Sequence, residues 1–257
     1  ILIGCIVMYK KLKNYRAFLK DSIRLEIDFR QTAQSQGIAA PPVQKPYKDD
    51  ATLIDLISYE SFVDSFPIDL TVAINNRESI RSFSGASITI KELSFLLWAT
   101  QGLREVPVEG TTLRTVPSAG ARHSFETYLY VRNVEGLDEG IYRYLPIDHK
   151  LLYEFTEPSL QRKITYGTLG QSFAANGAVT FIWTTVPKRM EWRYSLAAHK
   201  VIALDAGHLC QNLYIACEAI DAGTCAIAAY HQEEMDSLLH LDTNEEFVIY
   251  LAPVGKK

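Results

Sequence analysis

The order of elements in this 257-residue chain predicts an α+β domain. Three observations carry that expectation. Strand-like and helix-like segments alternate irregularly, with no βαβ repeat of the kind that builds a doubly wound parallel sheet. Ala178–Trp183 is a continuous apolar run expected to be a central strand, and Phe125–Val131 alternates as a strand does. Ala206, Leu209, Cys210, Leu213, Ala216, Cys217 and Ile220 fall on one stripe of a helix.

Residues 8–30 alternate basic and apolar side chains and are expected to form an amphipathic helix with a solvated face. Residues 35–50 contain Gly37, Pro41, Pro42 and Pro46 and are expected to run as an extended arm. This divides the chain into an N-terminal helix and arm, 1–67, and a compact domain, 68–257. Leu70–Ile74 begins a short helix. Thr89 and Glu92 have capping-box spacing and open a helix that stops at Gly102. Residues 105–112 are expected to be a loop. Gly140–Tyr144 and Leu151–Phe155 form a hairpin. The long helix is expected to end at Gly223, and Phe247–Leu251 is the last strand.

Composition is that of an ordinary globular protein, 47% hydrophobic and 22% charged. A net charge of -4 disfavours a nucleic-acid binder, and no apolar run reaches membrane-spanning length. Cys5, Cys210, Cys217 and Cys225 make no Cys-x-x-Cys pair and read as small buried residues, consistent with a reducing, cytoplasmic setting. Leu2-Ile3-Gly4-Cys5 has the form of a lipobox, but no charged segment precedes it; the expectation is an unlipidated chain, with Met8 as an alternative start. Gly-x-Gly-x-x-Gly, Walker and Gly-x-Ser-x-Gly patterns are absent. Asp205 and His208 have no further ligand cluster around them, so no metal site is expected.

Two guanidiniums and a hydroxyl at Arg77, Ser79 and Arg81 suit a phosphate monoester, because alternate residues of an extended segment share a side. The run Arg114-Thr-Val-Pro117-Ser118-Ala119-Gly120-Ala121 combines small residues with Pro and Gly, which lets backbone approach a flat ligand. A third motif is Asp205-Ala-Gly207-His208-Leu-Cys-Gln211-Asn212-Leu213.

Together, and in this order, the three motifs resemble the nitroreductase family, and among its members the SagB-type dehydrogenases. The likeness covers roughly residues 68–257. It implies an α+β nitroreductase-like fold with a mixed, mostly antiparallel sheet flanked by helices, and a homodimer with FMN at its interface. It implies phosphate and ribityl contacts from Arg77, Ser79 and Arg81, and a ring contact from Pro117, Ser118, Ala119 and Gly120. The backbone at Ala228-Ala229, where relatives carry Glu-Gly or Gly-Gly, would lie beside flavin N5. Lys256 is either a phosphate cation or part of a charged tail. Arg193-Tyr194 matches a Lys-Tyr pair of azoline-oxidising relatives, with Arg in place of Lys; Tyr194 and His199 are the candidate proton donors. The implied activity is hydride transfer between a reductant such as NAD(P)H and a small-molecule acceptor. The alternatives are a flavin-binding protein without turnover and a subunit of a peptide-modifying complex.

Overall fold

Two strands with every side chain buried set the middle of the molecule. In the structure, a computed structural model that describes residues 11–257, β4 (Phe125–Val131) and β7 (Val179–Thr185) pair antiparallel from Phe125 opposite Thr185 to Val131 opposite Val179. Their β-branched and aromatic residues suit a pleated surface covered on both sides. Around them β1 (Leu53–Asp55), β5 (Gly140–Leu145), β6 (Lys150–Phe155), β8 (Ala222–Thr224) and β9 (Phe247–Lys256) complete a seven-stranded sheet. The order is β1-β6-β5-β4-β7-β9-β8, and every ladder is antiparallel. Ser79 adds a parallel bridge to Thr224 at the β8 edge. The edge strand β1 comes from the segment before Ile68, so part of the N-terminal arm belongs to the same sheet.

Period-two alternation sends side chains to two cores. Leu129, Phe181 and Trp183 face α2 (Ile90–Gln101) and α5 (Ala198–Glu218). Tyr128, Tyr130 and Ile182 face α3 (Leu160–Gly167) and α6 (Gln232–Leu238). The expected α+β architecture of a mostly antiparallel sheet flanked by helices is therefore what the chain adopts.

The local signals hold where the contacts are local. α1 (Leu70–Asn76) starts at Asp69, whose carboxylate accepts from the amides of Thr71 and Val72. Thr89 and Glu92 form the reciprocal capping box of α2, with Glu92 N donating to Thr89 Oγ1 at 3.2 Å and Thr89 N donating to Glu92 Oε2 at 2.8 Å. Such a cap contributes about 1 kcal/mol. The buried stripe of α5 includes Ala206, Leu209, Cys210, Leu213, Ala216 and Cys217.

Three expectations differ from the structure. The segment read as a loop at 105–112 is a hairpin of β2 (Leu103–Val108) and β3 (Thr111–Arg114); its two register shifts and the exposed β2 erase the alternation that marks a strand. α5 stops at Glu218, before Gly223, which lies in β8. The expected helix over residues 8–30 is broken: residues 11–15 are helical, but Arg16–Leu19, Asp21–Glu26 and Phe29–Gln31 are separate 3₁₀ turns with Lys20 and Ile27 extended between them. None of these turns buries a residue, so no packing holds a longer helix together. The Leu2–Cys5 motif and Met8 lie outside the described residues. Among the described residues no helix is long and apolar enough to cross a membrane.

Candidate functional site

The first half of the site sits where the chain leaves α1 and runs beside β8. Ile80 N donates to Thr224 O at 2.9 Å, and Ser84 N donates to Lys256 O at 3.0 Å. Gly223 permits this crossing: a Cβ there would lie 2.6 Å from Ile80 Cγ1. Arg77, Ser79 and Arg81 are carried on this strip. Arg77 lies 5.4 Å from the centroid of the Tyr214 ring, and Arg81 lies 5.8 Å from that of Phe173. Ser79 Oγ is 2.9 Å from Tyr214 Oη. Neither guanidinium has a carboxylate partner among the described residues. Two cations and a hydroxyl thus lie along one strip, and neither cation is paired with a carboxylate among the described residues.

The second half is the Pro117–Gly120 loop. Asp205, buried on α5, draws it in: Ala119 N donates to Asp205 Oδ2 at 3.3 Å. Burial pushes the Asp205 carboxyl up, against the lowering effect of the neighbouring Ser118 hydroxyl, the Ala119 amide and His208. Ser118 Oγ in turn accepts from His123 N at 3.0 Å. Gly120 has φ 58°, and a Cβ on it would come within 2.7 Å of Tyr194 Oη and 2.8 Å of Arg193 Cδ. The glycine therefore satisfies both a left-handed turn and a close approach.

The structure brings some of the predicted residues together and leaves others apart. Tyr194 reaches the Pro117–Gly120 loop at Gly120. His199 does not join it: its Nε2 pairs with Glu191 Oε1 at 2.9 Å, and it lines a separate cleft of about 420 Å³ with Pro187, Asn244 and Phe247. Ala228 and Ala229 are exposed in the loop after β8, and the Ala229 carbonyl accepts from Gln171 Nε2 at 2.9 Å. No hydrogen bond engages either alanine's N–H among the described residues. Lys256 belongs to β9, not to a loose tail, and its ammonium is already held by Glu92 Oε1 at 2.6 Å and Ile220 O at 2.5 Å. Its charge is neutralised before any ligand arrives.

Sequence reasoning missed the groups that support these residues. Asp205 belongs to a recognised motif, yet its task as the anchor of residue 119 is set by a contact 86 positions away. Tyr214 carries no signal beyond being an aromatic residue on the α5 stripe. Buried Glu126, Arg143 and Arg189 hold the arm in place: Arg189 Nε donates to Pro42 O at 2.7 Å, Arg114 NH2 to Val43 O at 2.8 Å, and Arg143 NH1 to Lys45 O at 2.9 Å. Burial and the neighbouring Arg114 push His123 down to about 3, so this imidazole stays neutral and structural.

Asp205 and Tyr214 lie nine residues apart on α5, about 13 Å along the helix and about half a turn around it. The two halves of the site therefore open on opposite faces of one helix. Between α1, α2 and α5 runs an apolar groove of about 960 Å³ lined by Leu70, Ile74, Phe95, Trp98, Gln211 and Asn212. Leu70 and Ile74 are 63% and 57% exposed, which leaves a large apolar face uncovered in the single chain.

Residues 74–256 match the nitroreductase family. A protein of Methanocaldococcus jannaschii named for that family is 28% identical over 190 residues, 74% of this chain and 92% of that protein. The trifolitoxin-processing protein TfxB of Rhizobium leguminosarum bv. trifolii is 28% identical over 133 residues, 50% of this chain and 36% of TfxB. A crystal structure of an Anabaena variabilis protein named as a nitroreductase superimposes with a TM-score of 0.65 at 23% identity, covering 83% of this chain and 43% of that one. The Escherichia coli microcin synthetase McbBCD complex with truncated pro-MccB17 gives a TM-score of 0.58 at 18% identity over 83% of this chain and 78% of that chain. The NADPH:FMN oxidoreductase of Vibrio harveyi, complexed with NAD+, gives 0.51 at 14% identity over 73% and 68%.

Proposed function

Because the chain belongs to the nitroreductase family, we propose that it is an FMN-dependent oxidoreductase that passes hydride between a reductant such as NAD(P)H and a small acceptor. The observation that carries this reading is the strip Arg77-Glu78-Ser79-Ile80-Arg81, two guanidiniums without carboxylate partners among the described residues, beside an exposed hydroxyl. That donor set fits a phosphate monoester. The glycine-bearing loop at 117–120 and the unengaged amides of Ala228 and Ala229 fit the edge and face of a flat ring. The Vibrio harveyi enzyme is named for NADPH and FMN, which supports the same pairing here.

Bound FMN would supply the two-electron carrier, and the chain's part is placement. Arg77, Ser79 and Arg81 would hold the phosphate. Ser118 and Ala119, fixed by Asp205, would line the ring, with Gly120 leaving room for Tyr194. The Ala229 N–H would donate to the reactive edge. Tyr194 can donate a proton from its hydroxyl, whereas the Arg193 guanidinium supplies a cation. His199, paired with Glu191 in another cleft, takes no part.

The opposed faces of α5 support a homodimer. One copy would give the phosphate strip and its partner the 117–120 loop, with the apolar groove between α1 and α5 covered on pairing. A second reading is a SagB-type role in a peptide-modifying complex, which the similarity to TfxB and McbBCD supports.

The test is differential flavin binding. Arg81→Ala is expected to weaken FMN about tenfold to a hundredfold and to leave riboflavin, which has no phosphate, nearly unchanged. Equal losses for both flavins would remove the assignment.

A further inference from the structure

The Tyr214 side chain touches both the phosphate strip and the loop after β8. Its ring lies under the Arg77 guanidinium at 5.4 Å. Its hydroxyl is 2.9 Å from Ser79 Oγ and 2.9 Å from Ala226 N. An amide N–H can only donate, so Tyr214 Oη accepts from Ala226. The phenol then has one proton to give, and Ser79 Oγ is the acceptor in reach. A serine that accepts from Tyr214 keeps its own proton free, and Ser79 is exposed on the strip that also carries Arg77 and Arg81.

We propose that Tyr214 is a positioning residue that turns Ser79 into a committed proton donor for an anionic phosphate. The proposal rests on the reading of Arg77, Ser79 and Arg81 as the flavin phosphate site. The donor chain runs Ala226 N–H to Tyr214 O–H to Ser79 O–H. Each bond polarises the next, so the outermost hydroxyl is a stronger donor than an isolated serine. The cation–π contact with Arg77 fixes the same ring from the other side and holds the guanidinium next to the hydroxyl. A purely structural role predicts something different: the ring packs on the main core, and phenylalanine would preserve both that packing and the contact with Arg77.

The experiment uses the full chain, with FMN and riboflavin affinities read by flavin fluorescence for Tyr214→Phe, Ser79→Ala, the double variant and Arg81→Ala. Thermal unfolding of each variant confirms that it is folded. Tyr214→Phe is expected to weaken FMN about fivefold, as for one hydrogen bond, and to change riboflavin less than twofold. The double variant is expected to bind FMN about as Ser79→Ala does, because the hydroxyl acts only through Ser79. Equal loss for both flavins in Tyr214→Phe, a double variant whose effect is the product of the two singles, or a Tyr214→Phe that does not fold would each overturn the proposal. If Arg81→Ala also fails to distinguish the flavins, the phosphate reading itself falls and takes the role of Tyr214 with it. If Arg81→Ala discriminates and Tyr214→Phe does not, only the role of Tyr214 is lost.

Discussion

Replacing Glu126 with Gln tests what fastens the N-terminal arm to the sheet. Glu126 is 2% exposed on β4, and its Oε1 accepts from Lys45 N at 2.8 Å and from Arg189 NH2. Its other oxygen is 3.5 Å from Arg143 NH1. Burial works to raise this carboxyl, yet the Arg189 and Arg143 guanidiniums and the Lys45 amide hold it below the ordinary range. Without the negative charge, Arg143 keeps Glu154 at 2.8 Å, but buried Arg189 is left with neutral acceptors only, the carbonyls of Pro42 and His123 and the amide oxygen of Gln. Breaking a buried pair in this way costs about 3–5 kcal/mol. Urea denaturation should show that loss as a lower midpoint, and limited proteolysis should find new cuts near residues 40–47. Adding Arg189→Met to Glu126→Gln should recover more than half, since the stranded charge is gone. A loss below about 1 kcal/mol, or a double variant no better than the sum of its parts, would refute the idea that this cluster clamps the arm.

Further outcomes follow from the same geometry. Ala229→Val should slow anaerobic reduction of bound FMN more than it weakens FMN affinity, with Ala229→Gly tolerated; an unchanged rate in the valine variant, by stopped-flow absorbance, would move the edge contact elsewhere. His123 is neutral when folded down to about 3 but titrates near 6.5 when unfolded, so it lowers stability as pH falls between those values, by at most about 1.4 kcal/mol per pH unit. His123→Asn, which tolerates the φ of 43° at this position, should flatten that acid limb in pH-dependent thermal unfolding; an identical slope would remove His123 from it. Light scattering should give a dimer for the wild-type chain and a monomer for Leu70→Glu/Ile74→Glu; a wild-type monomer at micromolar concentration with FMN bound would contradict the two-copy site.

What was legible in the sequence was what neighbours in the chain decide. The Thr89–Glu92 box, the α5 stripe and the strands β4, β5 and β6 each follow from residues a few positions apart. The hairpin at 103–114 is hidden because its exposed first strand lacks a period and its second is only four residues long. The helix expected near the N-terminus had an apolar face but nothing to bury it against. The end of α5 was misplaced because Gly223 is required by Ile80, not by a helix cap. Of the candidate site, the charged and small residues were visible as motifs. Their supports were not: Asp205 with Ala119, Tyr214 with Ser79 and Glu126 with Arg189 are contacts across 86, 135 and 63 positions. The separation of Tyr194 from His199 likewise depends on which way the chain turns at Ser195, whose φ is 49°.

In the proposed function this chain carries hydride through FMN. The most direct test is an absorbance spectrum of the full chain after FMN loading and removal of free flavin, followed by anaerobic titration with NADPH and then NADH. The account predicts a yellow protein that one of the two dinucleotides bleaches, with the colour returning when a nitroaromatic or air is admitted. A protein that stays colourless, or a yellow one that neither dinucleotide bleaches, would contradict it.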